Sequence, residues 1–353
     1  MTSRSDVEPA DPAGGGGPGL PKALAEHVDA VRAELTRRFA GRGVRGISEW
    51  LEYQLETGGK RIRPAVALWL GTAVAPDDRE IADRVLPFAL AVELLHNVFL
   101  VHDDIEDGDT FRRGKPTLWA AAGLEDALNV SDYMLAEAYR LVAAVHGSPA
   151  TRVELLEIFA DTHRITVEGQ ALDLDCRADP GLTLSLYEEI ISRKTGRYLA
   201  LGWVGAAMIA GVPLADASAL WEVGAHLGPA FQIRDDLLDL TRGKGRGGEI
   251  GCDIREGKPS FLVAFTLESP STDSESRDRL LEILARPRAQ TGSDDVRWVI
   301  ELFDRVGAIR AAEQAAARRT FLGIERFEAI PWIPSRGAQT FRMIAEYLSN
   351  RNV

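Results

Sequence analysis

Cysteine is scarce: Cys176 and Cys252 are the two in 353 residues. They stand far apart and fit no metal-finger spacing, so no disulfide framework is expected and the setting implied is a reduced cytoplasm. Positive charge is also in deficit, with 41 Lys and Arg against 53 Asp and Glu and a net charge of −12. Such a balance excludes the broad basic face that nucleic-acid binding needs. It also argues against attachment to an anionic membrane by charge alone. No transmembrane segment is expected. The most apolar window, Leu199 to Leu214, holds 16 residues with three glycines and a proline, short of the roughly 20 required. It reads as a buried core helix. Runs that alternate apolar and polar residues between turn signals are missing too, which leaves no clear strand.

What is present is helical periodicity. Leu24, Val28, Val31, Leu35 and Phe39 recur at spacings of three and four, the stripe of an amphipathic helix. Similar patterns run over Ile81 to Val101, Ala127 to Val145, Val153 to Leu172, Leu184 to Ile191 and Ala217 to Leu240. Others follow at Ser276 to Leu284, Val296 to Phe327 and Arg336 to Leu348. Glycine and proline punctuate the gaps. Residues 1–19, polar and rich in Gly and Pro, read as a disordered tail with no apolar core of a signal peptide. Residues 20–353 read as one all-α domain of packed helices around a central bundle.

Two acidic motifs stand out. Asp103, Asp104 and Asp107 close one apolar stretch, and Asp235, Asp236 and Asp239 close another with the same spacing. Aspartates four apart project from one helix face, repel each other and sit at the wrong end of the helix dipole. One such motif is most simply a solvated acidic face. Two of them facing across a cavity would form an all-oxygen site for a hard divalent cation such as Mg²⁺. Local cations interleave with them along the chain: Gly58-Gly59-Lys60-Arg61-Ile62-Arg63-Pro64, Arg112-Arg113-Gly114-Lys115-Pro116, Lys194-Thr195-Gly196 and Gly257-Lys258. Arginine suits bidentate capture of phosphate oxygens, and lysine acts as a compact charge. Together they suggest a site where cations and metals hold a diphosphate.

The ordered landmarks GGKRIRP, LLHNVFLVHDDIED, RRGKPT, EGQALDLD, RKTG, FQIRDDLLD and DIREGK resemble those of the trans-isoprenyl diphosphate synthases, the polyprenyl synthetase family. The resemblance implies the all-α isoprenoid-synthase bundle, usually a homodimer, condensing isopentenyl diphosphate with an allylic diphosphate. It implies that Asp103, Asp104, Asp107, Asp235, Asp236 and Asp239 hold about three Mg²⁺ ions with the diphosphate. Lys60, Arg63, His96 and Arg113 match the isopentenyl diphosphate pocket. Arg112, Lys194, Thr195, Gln232 and Lys258 match residues around the allylic substrate. The chemistry is expected to turn on Asp103, Asp104, Asp107, Lys194 and Asp235. His96 alone, on an apolar face, would read as a core histidine. Glu106 and Asp109 read as solvated.

One departure concerns a lysine that the family commonly carries at the position of Gly248; Lys244 or Arg246 is the nearby substitute. Product length is expected to depend on Val98 and Phe99, five and four residues before Asp103 and so about 6 to 7.5 Å along the axis. The expected product is C20, with C15 next. The competing readings are a class I terpene cyclase, which needs no isopentenyl pocket, and a non-catalytic partner subunit, which typically loses one aspartate motif.

Overall fold

Wherever the three-and-four spacing runs, the backbone is helical. The computed structural model describes residues 21–57, 59–241 and 249–349. The expected disordered tail, Lys244, Arg246 and Gly248 lie outside the described residues. The first half comprises α1 (Lys22–Phe39), α2 (Arg45–Glu56), α3 (Ile62–Val74), α4 (Ile81–Glu106), α5 (Leu118–Ala122), α6 (Leu124–Ala143) and α7 (Pro149–Asp175). Next come α8 (Leu184–Ile191), a π turn at Ser192–Gly196, α9 (Arg197–Ile209), α10 (Leu214–Ala217), α11 (Ala219–Asp239) and α12 (Cys252–Arg255). The last elements are α13 (Phe261–Glu268), α14 (Ser274–Leu284), α15 (Ser293–Arg305), α16 (Ala308–Glu328) and α17 (Ser335–Ser349).

The helix starts follow local chemistry. Ser148, ahead of Pro149, accepts from the Thr151 amide at 3.0 Å, and Asp273 accepts from the Ser276 amide at 2.8 Å. Each satisfies an amide that the first turn leaves without a partner.

Two expectations need correction. The pattern read as one helix from Val296 to Phe327 is two, because Gly307 takes φ of +80° and turns the chain between α15 and α16. A strand pair also exists, β1 (Phe111–Arg112) with β2 (Lys115–Pro116), antiparallel and two residues each. Its central residues Arg113 and Gly114 have φ of +54° and +75°, the left-handed pair of a tight hairpin. Two residues are too few to produce an alternating pattern.

Helix α4 is the axis of the fold. It packs on α3, α6 and α9, while α11 packs on α9 and α16. At 26 residues, with an 18-residue window of mean hydropathy 1.7, it is long and apolar enough to cross a membrane, which the Leu199 to Leu214 window is not. Neighbouring helices bury most of that apolar surface, as expected of a core helix. Leu90, Leu94 and Val98 lie in the larger apolar core, and α8 with α12 to α16 builds a second one. The C-terminal ends of α4 and α11 thus project their aspartates from rigid, buried stems.

Close packing in the larger core depends on Gly205 in α9. A methyl group there would overlap the ring of Phe88, which is fully buried and set edge-to-face against Phe159 at 6.2 Å. Gly205→Ala is expected to cost about 1–3 kcal/mol of stability, the range for overpacking a core, read by chemical denaturation. A change within about 0.5 kcal/mol would show that the Phe88 ring can turn aside.

Candidate active site

The six motif aspartates divide by environment. Asp104 is 2% exposed, and its Oδ1 accepts from Arg112 Nε at 2.7 Å and Nη2 at 2.5 Å. Burial raises its pKa from 3.8 to about 6 against the pull of Arg112. Asp236 is buried and accepts from Tyr187 Oη at 2.9 Å, the Phe261 amide at 3.0 Å and Gln232 Nε2 at 3.2 Å. Asp239 accepts from the amides of Cys252 at 3.1 Å and Asp253 at 3.0 Å, which fixes α12 against the end of α11.

Of the other three, Asp103 is half-buried, Asp235 is exposed and Asp107 is buried beneath its cationic partners. Asp103 Oδ1 lies 3.8 Å from Lys194 Nζ. Asp107, one turn further, receives Arg177 Nη2 at 2.6 Å on one oxygen and Lys258 Nζ at 2.7 Å on the other. Asp235 lines a cavity together with Arg63, Phe231 and Arg234. Lys258 also approaches Asp253 at 3.9 Å, the residue whose amide holds Asp239 of the second motif. The wrong-end dipole and like-charge repulsion are offset here by cations from distant segments.

Lys194 owes its place to backbone contact. Methyl groups at Gly169 in α7 or at Gly224 and Gly228 in α11 would collide with the π turn, at Lys194, Gly196 or both sides of it. Three backbones therefore meet without side chains between them. The π turn opens one extra residue into the α8–α9 path, a form common at functional sites. It sets Lys194 Nζ 3.4 Å from Asp173 Oδ2 as well as beside Asp103. Thr195 follows it in the same turn.

A second cationic group surrounds His96. Arg63 Nη1 lies 3.2 Å from His96 Nε2, and its guanidinium sits 5.4 Å from the centre of the Tyr198 ring. Burial first, then Arg63, Arg113, Arg112 and Arg61, push the His96 pKa well down, so the ring is neutral and accepts from Arg63. Arg61 is neutralised by Glu93 and also donates to the Leu55 carbonyl. Among the described residues no carboxylate comes within ion-pair range of Arg63, whose contacts are a neutral imidazole and an aromatic face. Arg113, on the hairpin tip, reaches the backbone of Gly59. Lys60 is exposed, its Nζ 5.8 Å from the Tyr347 ring in α17. Lys60, Arg63, His96 and Arg113 thus gather on the α3–α4 side, while Arg112, Lys194, Gln232 and Lys258 stand among the aspartates.

Phe99 is half-buried against the larger core, with ring centres 5.4 Å from Tyr198 and 5.8 Å from His163. Val98 points into the core and is fully buried. Asp109, expected to be solvated, is 3% exposed and receives Arg288 Nη1 at 2.8 Å; burial this deep requires the ion pair. Glu106 is exposed, as expected, and accepts from Gln170. Sequence reasoning passed over Arg177, Arg288 and Tyr187. Each lies tens of residues or more from the carboxylate it meets, and no local motif marks it.

Carboxylate oxygens from Asp103, Asp107 and Asp235 are the hard donors that Mg²⁺ takes. Among the described residues no three such side chains converge as a protein-only cage. The remaining donors would be water and phosphate oxygens, the coordination Mg²⁺ favours. The donor set fits the ion.

Several comparisons bear on this geometry. The family model described as polyprenyl synthetase matches residues 44–303. The short chain isoprenyl diphosphate synthase of Methanothermobacter thermautotrophicus is 34% identical over 304 residues, covering 85% of this chain and 89% of that protein. The geranylgeranyl diphosphate synthase of Sulfolobus acidocaldarius is 38% identical over 246 residues, 69% of this chain and 73% of that one. The crystal structure of geranylgeranyl pyrophosphate synthetase from Pyrococcus horikoshii superposes with a TM-score of 0.83 at 30% identity, covering 93% of this chain and 97% of that chain. Further relatives carry farnesyl, geranylfarnesyl and nonaprenyl product names.

The buried motif aspartate gives a pH prediction. Burial, and then the charge of Asp253, raise the Asp236 pKa from 3.8 to about 7 despite its three hydrogen bonds. Between those values the folded state holds a proton that the unfolded chain has released, so stability falls as pH rises through the window. In metal-free buffer the unfolding free energy is expected to drop from pH 5 to 8 more steeply in the wild type than in Asp236→Asn. Equal slopes would show that Asp236 is ionised throughout.

Proposed function

The chain belongs to the polyprenyl synthetase family and is a trans-prenyltransferase; from that premise we propose that it condenses isopentenyl diphosphate with an allylic diphosphate to give a C20 trans-prenyl diphosphate, with C15 as the second candidate. The observation that carries this reading is the interleaving at the ends of α4 and α11. Asp103 meets Lys194 from RKTG, Asp107 meets Lys258 from DIREGK, and Asp235 shares a cavity with Arg63 from GGKRIRP. A solvated acidic face would need none of these partners.

Asp103, Asp107 and Asp235 would hold Mg²⁺, while Asp104, Asp236 and Asp239 complete the motifs by bracing the hairpin, α13 and α12. Bound with the diphosphate, Mg²⁺ supplies Lewis-acid neutralisation of the leaving group. Arg112, Lys194 and Lys258 add positive charge where negative charge grows as the allylic carbon–oxygen bond breaks, with Thr195 and Gln232 lining the same site. Lys60, Arg63 and Arg113 grip isopentenyl diphosphate, and neutral His96 orients Arg63 without adding a competing charge. The isopentenyl double bond then attacks the allylic cation, and the proton lost leaves with the diphosphate. The apolar walls exclude water that would quench the cation.

The growing tail would descend past Phe99, which stands between Tyr198 and His163. The geranylgeranyl names among the relatives favour C20. Exposed Leu124 and Leu128 on α6 and Val153 and Val167 on α7 favour a homodimer through that side of the bundle. Cys176 and Cys252 are not joined to each other by a disulfide.

The test is incubation with isopentenyl diphosphate and C5, C10 or C15 allylic diphosphates, with Mg²⁺ or a chelator, sizing products by mass. A Mg²⁺-dependent series ending at C20 is expected. A hydrocarbon or alcohol made from the allylic diphosphate alone would replace this reading with a cyclase. Asp103→Asn and Asp235→Asn should each lower kcat by about 10² or more. Phe99→Ala should lengthen the product by at least one C5 unit, and an unchanged distribution would remove Phe99 from the tunnel floor.

A further inference from the structure

Arg177 belongs to none of the ordered motifs, yet it holds one oxygen of Asp107 at 2.6 Å. Its placement is built rather than incidental. Arg177 follows the last turn of α7, and the next residue, Ala178, takes φ of +53°, a conformation that costs a non-glycine residue about 1 kcal/mol or more. The Ala178 amide donates to the Gly257 carbonyl at 2.9 Å. Gly257 itself has φ of +63°, and a methyl group there would collide with the Leu284 carbonyl. Two left-handed residues joined by one hydrogen bond therefore set Arg177 and Lys258 side by side on the two oxygens of Asp107. Lys258 is held further by Glu256 at 3.0 Å, and Glu256 by Arg288 at 2.9 Å. Arg177 Nε is buried with no hydrogen-bond partner among the described residues, a donor left available to an incoming anion.

We infer that Arg177 is a resident counter-ion of Asp107 that keeps a divalent cation from loading until a diphosphate arrives. The inference rests on the metal–diphosphate reading of this site. A guanidinium on Asp107 removes the charge that would attract the metal and repels the metal directly. A diphosphate, carrying several negative oxygens, offers the guanidinium a bidentate alternative and satisfies its buried Nε. Drawing Arg177 off then raises metal affinity, and by linkage the metal raises diphosphate affinity by the same factor. Arg177 acts here as a positioning residue, through Asp107 rather than on the reacting atoms.

The experiment is calorimetric titration of Mg²⁺ into wild-type protein, Arg177→Gln, Arg177→Met and Arg177→Lys, each with and without inorganic pyrophosphate. Either neutral variant that unfolds as cooperatively as the wild type decides the question. Mg²⁺ alone is expected to bind it about tenfold tighter than it binds the wild type, the scale for removing one unit charge beside a divalent ion at a partly wet site. The gain in Mg²⁺ affinity produced by pyrophosphate should shrink correspondingly, and Arg177→Lys should behave like the wild type. Unchanged or weaker binding of Mg²⁺ alone to the neutral variants overturns the inference. Wild-type protein whose Mg²⁺ affinity is indifferent to pyrophosphate overturns the metal–diphosphate reading itself, a separate result.

Discussion

Placing carboxylates at the C-terminal ends of two apolar helices is the constraint around which the other features are arranged. The helix dipole opposes those charges, the i, i+4 spacing makes them repel, and burial at Asp104, Asp236 and Asp239 removes the water that would screen them. Each is answered from elsewhere in the chain. The hairpin exists to return Arg112 to Asp104; the Tyr187 hydroxyl and the Phe261 amide converge on Asp236; the first amides of α12 converge on Asp239. Removal of one partner would leave an uncompensated buried charge, a larger loss than the pair's own net worth. Folding therefore drives the connecting segments into register around the opening.

The division of labour within each DDxxD motif follows. Residues with identical side chains and nearly identical sequence neighbours end in opposite roles, because a helix turns by about 100° per residue. Asp103 and Asp107 share a face, Asp103 partly open and Asp107 buried beneath Arg177 and Lys258. Asp104, a hundred degrees away, looks into the protein and serves as a joint between α4 and the hairpin. The same rotation separates Asp235 from Asp236, whereas Asp239, on the Asp235 face, is buried by the first amides of α12 rather than by helix phase. An acidic motif of this kind is part ligand set and part scaffold, and within the scaffold burial raises the pKa of Asp104 and Asp236.

The architecture and the site were largely legible in the sequence because both are periodic or local. Spacings of three and four marked the helices, and the ordered motifs marked the acidic and basic clusters. The failures share one physical origin, dependence on contacts that no window of sequence contains. Asp109 reads as solvated until Arg288, 179 residues away, is brought onto it. Val98 and Phe99 are neighbours in sequence, yet one is fully buried and the other half-buried between Tyr198 and His163, and the helix phase that separates them is set by packing against α6 and α9. The split at Gly307 was missed because the apolar stripes of α15 and α16 continue one another in sequence across it.

The π turn between α8 and α9 also carries a consequence of phase. An extra residue in a helical path advances everything after it by about 100° of rotation and about 1.5 Å of rise. The faces that α9 presents to α3, α4 and α11, including Gly205 against Phe88, are correct only with that residue counted in. Deleting one residue between Ser192 and Gly196 would leave a continuous, well-formed helix of unchanged composition. That helix would turn a bare glycine face away from the ring it was cut to receive and swing Lys194 out of the opening. Length at this one turn is thus a coordinate of the fold, as fixed as any buried side chain.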